Sequence, residues 1–378
     1  MTNVVIAGYA RSPFTLANKG AFRKVRPDDL AAAVVKGLVE RTKVRPEDIE
    51  DLLLGCAFPE AEQGLNVARN IVFLAGLPIT IAATTINRFC GSSMQAIHSA
   101  AGAIKMGAGE VFICAGIESM TRIPMTGFNP MPNPKLIDAG HAAYISMGET
   151  AENVAQKYQI TRAAQDAFAA ESQKRAAAAQ AAGKFKGEIV PIPADGGAVD
   201  TDGCIRADTT TEVLAGLKPA FHEKGTVTAG TSSPLTDGAS AVLVCSEEYA
   251  SKNGLKPLAR IKSISVAGCA PEIMGIGPVA ATKKALARAG LKLEQIDVIE
   301  LNEAFASQSL ACVQELGIDL SKTNIDGGAI AIGHPLGATG ARITGKAAQI
   351  MVREKKKYAL STQCIGGGQG IATIMEAV

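Results

Sequence analysis

Two separated stretches of this chain read alike, and that repeat limits its fold more than any other feature. The first is helix-like from Pro27-Asp28-Asp29-Leu30 to Leu38. It then passes through Pro46-Glu47-Asp48 into the apolar run Leu52-Leu53-Leu54-Gly55. The second is helix-like from Gly277-Pro278-Val279 to Leu286, and passes through Leu293-Glu294-Gln295 into Val298-Ile299-Glu300-Leu301. Each reads as a helix, a short acidic connection and a strand. Each half then offers a second helix and a later strand ending in small residues. These strands are Val111-Phe112-Ile113-Cys114-Ala115-Gly116 and Tyr358-Ala359-Leu360-Ser361-Thr362-Gln363-Cys364. Strands alternating with helices predict an α/β fold, here made from a duplicated unit.

The middle differs. Residues 118 to about 235 hold the loops Ile123-Pro124-Met125 and Pro130-Met131-Pro132-Asn133-Pro134, a helix capped by Thr161 and ending at Gly183, and a polar Gly/Asp stretch from Asp195 to Asp208. This reads as an insertion between the halves, and insertions often carry substrate sites. The expected organisation is residues 1–117 with 236–258 as one domain, 118–235 as a loop domain, and 259–378 as the second domain.

Several function classes are disfavoured. The net charge of +2 gives no global field for nucleic acid or an anionic membrane. No run is long and apolar enough to span a bilayer, and the N-terminus reads as a first strand. The eight cysteines include no C-x-x-C pair, which argues against zinc and against a disulfide framework. A reducing, cytoplasmic setting is expected. The P-loop-like Gly340-x-x-x-x-Gly345-Lys346 has Ala347 where Ser or Thr would hold Mg²⁺, and it continues a helical pattern. Gly275-Ile276-Gly277-Pro278-Val279-Ala280 matches a dinucleotide fingerprint without the acidic residue that should follow.

The chemistry concentrates in four places. Asn87-Arg88-Phe89-Cys90-Gly91-Ser92-Ser93 runs from a strand into a helix whose apolar face is Met94, Ile97, Ala101 and Ile104. Cys90 is then close to a helix N-terminus, where the dipole is expected to lower a thiol pKa. A buried, inert cysteine is the plainer alternative. Of four histidines, only His334 is framed by glycines and followed by Pro at a helix start, in Gly333-His334-Pro335-Leu336-Gly337. Such a backbone lets an imidazole enter a cleft as base to a thiol. Cys364 opens Cys364-Ile365-Gly366-Gly367-Gly368-Gln369-Gly370 after a strand, either as an acid/base or as a packed turn cysteine. Asn302, in Asn302-Glu303-Ala304-Phe305, either caps the next helix or holds a water for an oxyanion.

Taken in order, these four blocks resemble the thiolase family across essentially the whole chain. The resemblance implies two similar βαβαβαββ halves stacked as αβαβα layers, with an inserted loop domain that binds coenzyme A. It implies Cys90 as the acylated nucleophile and His334 as its activator and part of one oxyanion hole. Asn302 would hold that hole's water, and Cys364 would be the acid/base at the α-carbon. The N–H groups of Cys90 and Gly366 would form a second oxyanion hole. Arg206 matches a position near the nucleotide, Ser233 one beside the pantetheine, and Met147, Met274 and Phe305 match pocket-lining positions.

Within the family, Cys90-Gly91-Ser92-Ser93-Met94-Gln95-Ala96, Gly230-Thr231-Ser232-Ser233 and Gln369 are similar to the degradative 3-ketoacyl-CoA thiolases of bacterial fatty-acid oxidation. Ser146 stands where acetoacetyl-specific relatives place His. The substrates implied are 3-ketoacyl-CoA and CoA, with acetyl-CoA as a product and no permanently bound cofactor or metal. A homodimer or homotetramer is implied, docked in some relatives to a hydratase/dehydrogenase subunit. The alternatives are a biosynthetic acetoacetyl-CoA thiolase, a decarboxylating ketoacyl synthase, and a non-catalytic scaffold.

Overall fold

A computed structural model describes residues 2–378. The first half contains β1 (Val4–Arg11), a short β2 (Thr15–Leu16), α1 (Pro27–Thr42), β3 (Asp51–Gly55), α2 (Val67–Leu74), β4 (Ala82–Ile86), α3 (Ser92–Met106) and β5 (Val111–Ser119). The middle contributes α4 (Pro134–Asp138), α5 (Met147–Lys157), α6 (Arg162–Ala181), the hairpin β6 (Ile192–Ala194) and β7 (Gly197–Val199), and α7 (Thr211–Ala215). Then come β8 (Thr236–Ser246), α8 (Glu247–Lys252), β9 (Ala259–Gly268), α9 (Gly277–Ala289), β10 (Val298–Leu301) and α10 (Ala306–Leu316). The chain closes with α11 (Ala329–Ile332), α12 (Leu336–Arg353), β11 (Tyr358–Ile365) and β12 (Gln369–Glu376).

The duplication predicted from sequence is visible in the strand order β10-β11-β12-β9-β1-β8-β5-β3-β4. Read outward from the centre, β1-β8-β5-β3 repeats as β9-β12-β11-β10. The parallel pairs β3·β5 and β10·β11 are also equivalent. The first half adds β4 at its edge. At the corresponding place the second half has, among the described residues, an isolated bridge between Ile299 and Thr323. β1 and β9 join over just two residue pairs, Val5 with Arg260 and Ile6 with Ala259.

α3 and α12 pack on each other between the halves, while α1 covers one outer face and α9 the other, giving five layers. The middle layer is lined by Ala96, Ala100, Ala341, Ala347 and Ala348, together with Ile6 and Tyr9 of β1. Small residues there let helices approach closely. A Cβ on Gly340 would stand 2.3 Å from the Met94 nitrogen, and one on Gly337 would stand 2.5 Å from the Ile117 carbonyl oxygen. No helix among the described residues is long and apolar enough to cross a membrane.

A buried ionic network ties the middle segment to both halves. Arg11 on β1 meets Asp202 at 2.7 Å and Glu188 at 2.8 Å. Lys346 on α12 meets Glu188 at 3.1 Å and Asp326 at 2.9 Å. Arg353 closes on Asp326 at 2.6 Å. Lys346 therefore serves a buried ion pair inside α12, and the P-loop reading of Gly340 to Lys346 has no loop to rest on.

Candidate active site

The site forms where turns leave the ends of β4, β10 and β11 and meet the turn before α12. At the end of β4, Asn87 Oδ1 accepts from the Phe89 N–H at 2.8 Å. Ser92 Oγ accepts from the Arg88 N–H at 2.9 Å and donates to the Phe89 carbonyl at 2.5 Å. These bonds hold Phe89 at φ +42°, a left-handed conformation that non-glycine residues seldom adopt. The sharp turn delivers Cys90 to the head of α3. The residue is buried and packs with Ala57, Met120 and Leu336. The second half secures the turn: Gln363 donates to the Cys90 carbonyl, and Gln369 Oε1 accepts from Arg88 at 2.7 Å.

The sequence led us to expect a Cys90 pKa lowered by the helix terminus. The structure corrects this. Burial pushes the thiol up to about 12, with the charge of Glu118 adding to the effect, although the N–H groups of Gly366 and of Cys90 itself point at the sulfur and favour the thiolate. Desolvation of an anion outweighs the dipole once the sulfur is cut off from water. Cys90 therefore rests as a thiol and needs a base.

His334 follows Gly333, whose φ of +111° turns the chain sharply between α11 and α12. Its N–H donates to Thr236 Oγ1 at 3.1 Å. Nδ1 lies 2.6 Å from Thr339 Oγ1, and that hydroxyl donates to the Pro335 carbonyl at 3.1 Å. The Thr339 proton is thus committed, so Nδ1 carries the imidazole proton and Nε2 presents a lone pair. Burial, reinforced by the charge of Arg342, lowers the His334 pKa to about 3. The ring is therefore neutral at pH 7, and burial makes it a weaker base than a free imidazole.

Asn302 lies just beyond β10. Its N–H donates to the Thr362 carbonyl at 3.0 Å, and Nδ2 faces His334 Nε2 at 3.4 Å. The capping alternative fails, because α10 begins at Ala306 with Phe305 at its N-cap. Asn302 Oδ1 is buried and has no partner among the described residues.

Cys364, at the end of β11, is fully buried in an apolar cluster with Met147, Ala151, Met274, Ala304 and Phe305. Burial, then the neighbouring Cys90 and Cys312, push its pKa well above the usual thiol range. Gly366 opens the hairpin turn to β12, where Gly367 and Gly368 hold φ of +78° and +87°. That turn explains the glycine run, since side chains there would be strained.

The expected coenzyme A positions divide. Met147, Met274 and Phe305 gather around Cys364. Ser233 sits against the same loop, its N–H and Oγ both donating to the Ala304 carbonyl at 3.0 Å. Arg206 stands apart and is exposed, its N–H donating to Gln173 Oε1 at 2.8 Å and its carbonyl accepting from the Thr209 N–H at 3.2 Å. Sequence reasoning missed Thr339, Thr236, Gln363 and Glu118. A Thr one turn inside a helix carries no local signal. Glu118 did carry one, being a lone acid directly after the apolar run from Val111 to Ile117.

A second histidine gives a clean pH test of the fold. His98 on α3 is buried against Thr373 Oγ1 at 2.9 Å, and burial lowers its pKa to about 3 from 6.5. Below pH 6.5 the unfolded chain binds a proton that the folded chain refuses. The stability this group contributes above 6.5 is therefore lost as pH falls toward 3. Relative to His98→Gln, the wild-type protein is expected to lose about 1.4 kcal/mol of unfolding free energy per pH unit between roughly pH 6 and 4. Urea titrations of both proteins measure this, and parallel curves would refute it.

Comparison with known proteins agrees with this architecture over the full length. Residues 4–248 match the thiolase N-terminal domain, and residues 255–377 match the thiolase C-terminal domain. A 3-ketoacyl-CoA thiolase of Bacillus subtilis (strain 168) is 48% identical, and one of Vibrio vulnificus (strain YJ016) is 50% identical, each alignment covering 100% of both chains. The crystal structure of human mitochondrial 3-ketoacyl-CoA thiolase superposes with a TM-score of 0.92 at 39% identity, covering 100% of this chain and 99% of that one. The same human enzyme in complex with CoA gives 0.91 at 39% identity, covering 100% and 98%. Because both family domains occur in sequence order and the likeness runs from end to end, this chain belongs to the thiolase family.

Proposed function

We propose that this protein is a degradative 3-ketoacyl-CoA thiolase, an acyltransferase that shortens 3-ketoacyl-CoA by two carbons in fatty-acid β-oxidation. The observation that carries the reading is the seating of the Cys364 strand end against the Cys90 turn, where Gln363 donates to the Cys90 carbonyl and a Cβ on Gly91 would stand 2.6 Å from the Ile365 side chain. Full-length identity near one half to proteins named 3-ketoacyl-CoA thiolase supports the substrate class.

The chemistry then runs in two stages. His334 Nε2 takes the Cys90 proton as the sulfur attacks the 3-keto carbon. Both groups rest neutral, so proton transfer accompanies C–S bond formation. The N–H groups of Cys90 and Gly366 hold the resulting alkoxide. Its collapse breaks C2–C3, leaves the acyl group on Cys90 and sends the electron pair into the enolate of acetyl-CoA. His334, with a water held by Asn302, stabilises that enolate oxygen, and Cys364 supplies the proton to C2. In the second stage, the Cys364 thiolate takes the proton of an incoming CoA thiol. The CoA sulfur attacks acyl-Cys90, and the expelled Cys90 sulfur recovers its proton from His334. CoA is a substrate, and no permanently bound cofactor takes part.

One lost oxyanion donor typically costs about 2.7–4 kcal/mol, or 10²–10³ in kcat. Asn302→Ala is therefore expected to lower kcat by about that factor without unfolding the chain. Near-wild-type turnover would remove Asn302 from the mechanism.

Ser146 supports the degradative reading over acetoacetyl specificity. Where a His would be needed for the latter, Ser146 caps α5 in a reciprocal pair with Glu149. Thiolysis assayed from four- to sixteen-carbon 3-ketoacyl-CoA tests the reading. Higher kcat/KM on the longer chains is expected, and activity confined to acetoacetyl-CoA would favour the biosynthetic alternative. We take residues 118–235 as the loop domain that binds CoA, with Ser233 beside the pantetheine and Arg206 toward the nucleotide. The cytoplasm suits eight free thiols. A homodimer is supported by β4, which ends the sheet beside the exposed Leu65 and Ile79, at 93% and 74% exposure. A tetramer or a hydratase/dehydrogenase partner would build on that unit.

A further inference from the structure

We infer that Glu118, at the end of β5, is a positioning residue that clamps the His334 turn of the second half to the Cys90 side of the first. Its Oε2 accepts from two segments that meet nowhere in sequence: the Ala57 N–H at 2.8 Å and the Gly337 N–H at 2.9 Å. Its Oε1 accepts from Gln63 Nε2 at 2.8 Å and from the Phe58 N–H at 3.3 Å. The Ala57 carbonyl in turn accepts from Asn87 Nδ2 at 3.0 Å, three residues before Cys90. Gly337 lies three residues after His334. A single oxygen therefore sets the spacing between the turn that carries the nucleophile and the turn that carries its base.

The chemistry of the donors requires a carboxylate. Both oxygens face N–H groups, which leaves no room for a carboxyl proton or an amide nitrogen. The side chain is 1% exposed and has no cationic partner among the described residues, an expensive placement unless the charge is used. Gly337 is in the first turn of α12, whose dipole further favours the anion. The approach is too close for an alternative packing. A Cβ on Gly337 would stand 2.8 Å from the Cys56 Cα, and one on Gly116 would stand 2.2 Å from the Gly337 carbonyl oxygen. The Glu118 charge also adds to the burial that raises the Cys90 pKa.

This inference rests on the roles proposed for Cys90 and His334. The test is Glu118→Gln, which turns an acceptor toward a donor at nearly constant shape. A displacement near 1 Å costs on the order of 100-fold in rate. We expect kcat on a 3-ketoacyl-CoA to fall by about that factor while KM stays within about twofold. Alkylation of Cys90 by iodoacetamide at pH 8 should become faster, because the nearby negative charge is gone. A purely structural role would not move the two rates in opposite directions. A kcat within about threefold of wild type overturns the inference, as does a kcat and an alkylation rate that fall together with the folded fraction. Should Glu118→Gln not fold, Gln63→Met decides the matter. It removes one donor to Glu118, worth about tenfold in kcat at unchanged KM, and wild-type kcat there overturns the inference. Full activity in Cys90→Ala would remove the underlying roles, whereas an inactive Cys90→Ala beside fully active Glu118 and Gln63 variants removes only the role of Glu118.

Discussion

Cys90→Ala is expected to leave a folded protein that cleaves 3-ketoacyl-CoA at least about 10⁴-fold more slowly than wild type. The fold should survive because the change removes one atom from a pocket whose other walls are Ala17, Ala57, Met120 and Leu336. Neither the Asn87 and Ser92 side chains that bend the turn nor the Gln363 bond to the residue 90 carbonyl involves the thiol. The chemistry cannot survive. Without the sulfur there is no acyl-enzyme, and direct attack by CoA on the 3-keto carbon would need two CoA chains around one buried centre. A steady-state thiolysis assay with circular dichroism of the same sample measures both halves of the expectation. Retained turnover would overturn the nucleophile assignment.

Cys364→Ala is expected to have the second largest effect, a loss of about 10²–10⁴ in kcat, the usual worth of a positioned general acid or base. Its cause differs. Cys364 is pushed far above the ordinary thiol range by burial and by Cys90, so it enters the cycle as an acid able to protonate a carbanion at C2. Removing it stalls the departure of acetyl-CoA but leaves the Cys90 sulfur and both N–H donors in place. Cys90 in this variant should still react with iodoacetamide at close to the wild-type rate while thiolysis collapses. Equal loss of alkylation and thiolysis would mean that Cys364 supports the fold of the Cys90 pocket instead of moving a proton.

Much of this was legible in the sequence, for reasons that particular elements make plain. Helices α1 and α9 begin with Pro in their first turn, and α9 ends at a left-handed Gly290, so their boundaries follow local backbone chemistry. The helix from the Thr161 cap ends at Ala181, two residues short of Gly183, as capping chemistry predicts. Cys90, His334 and Cys364 stood out because each lies in or directly before a glycine-containing turn at the end of an element.

What was not legible depends on distance in three dimensions. The helix dipole at α3 argued for a low Cys90 pKa, and only the burial of the sulfur reverses it. Asn302 looked like a cap until α10 was seen to start at Ala306, four residues later. Thr339 fixes the tautomer of His334 through a contact that the first turn of α12 creates, and no spacing rule singles it out. Glu118 joins Ala57 to Gly337 across 280 positions of chain, a relation that exists only once β5 and α12 have packed.

The central claim is that the acyl group passes through the sulfur of Cys90, and rapid mixing with a 3-ketoacyl-CoA in the absence of free CoA tests it most directly. After acid quench and peptic digestion, mass spectrometry should find the shortened acyl chain on the peptide containing Cys90, approaching one per protein chain and discharged by added CoA. Acyl label on Cys364 or on another residue, or turnover with no labelled peptide at any time, would contradict the account.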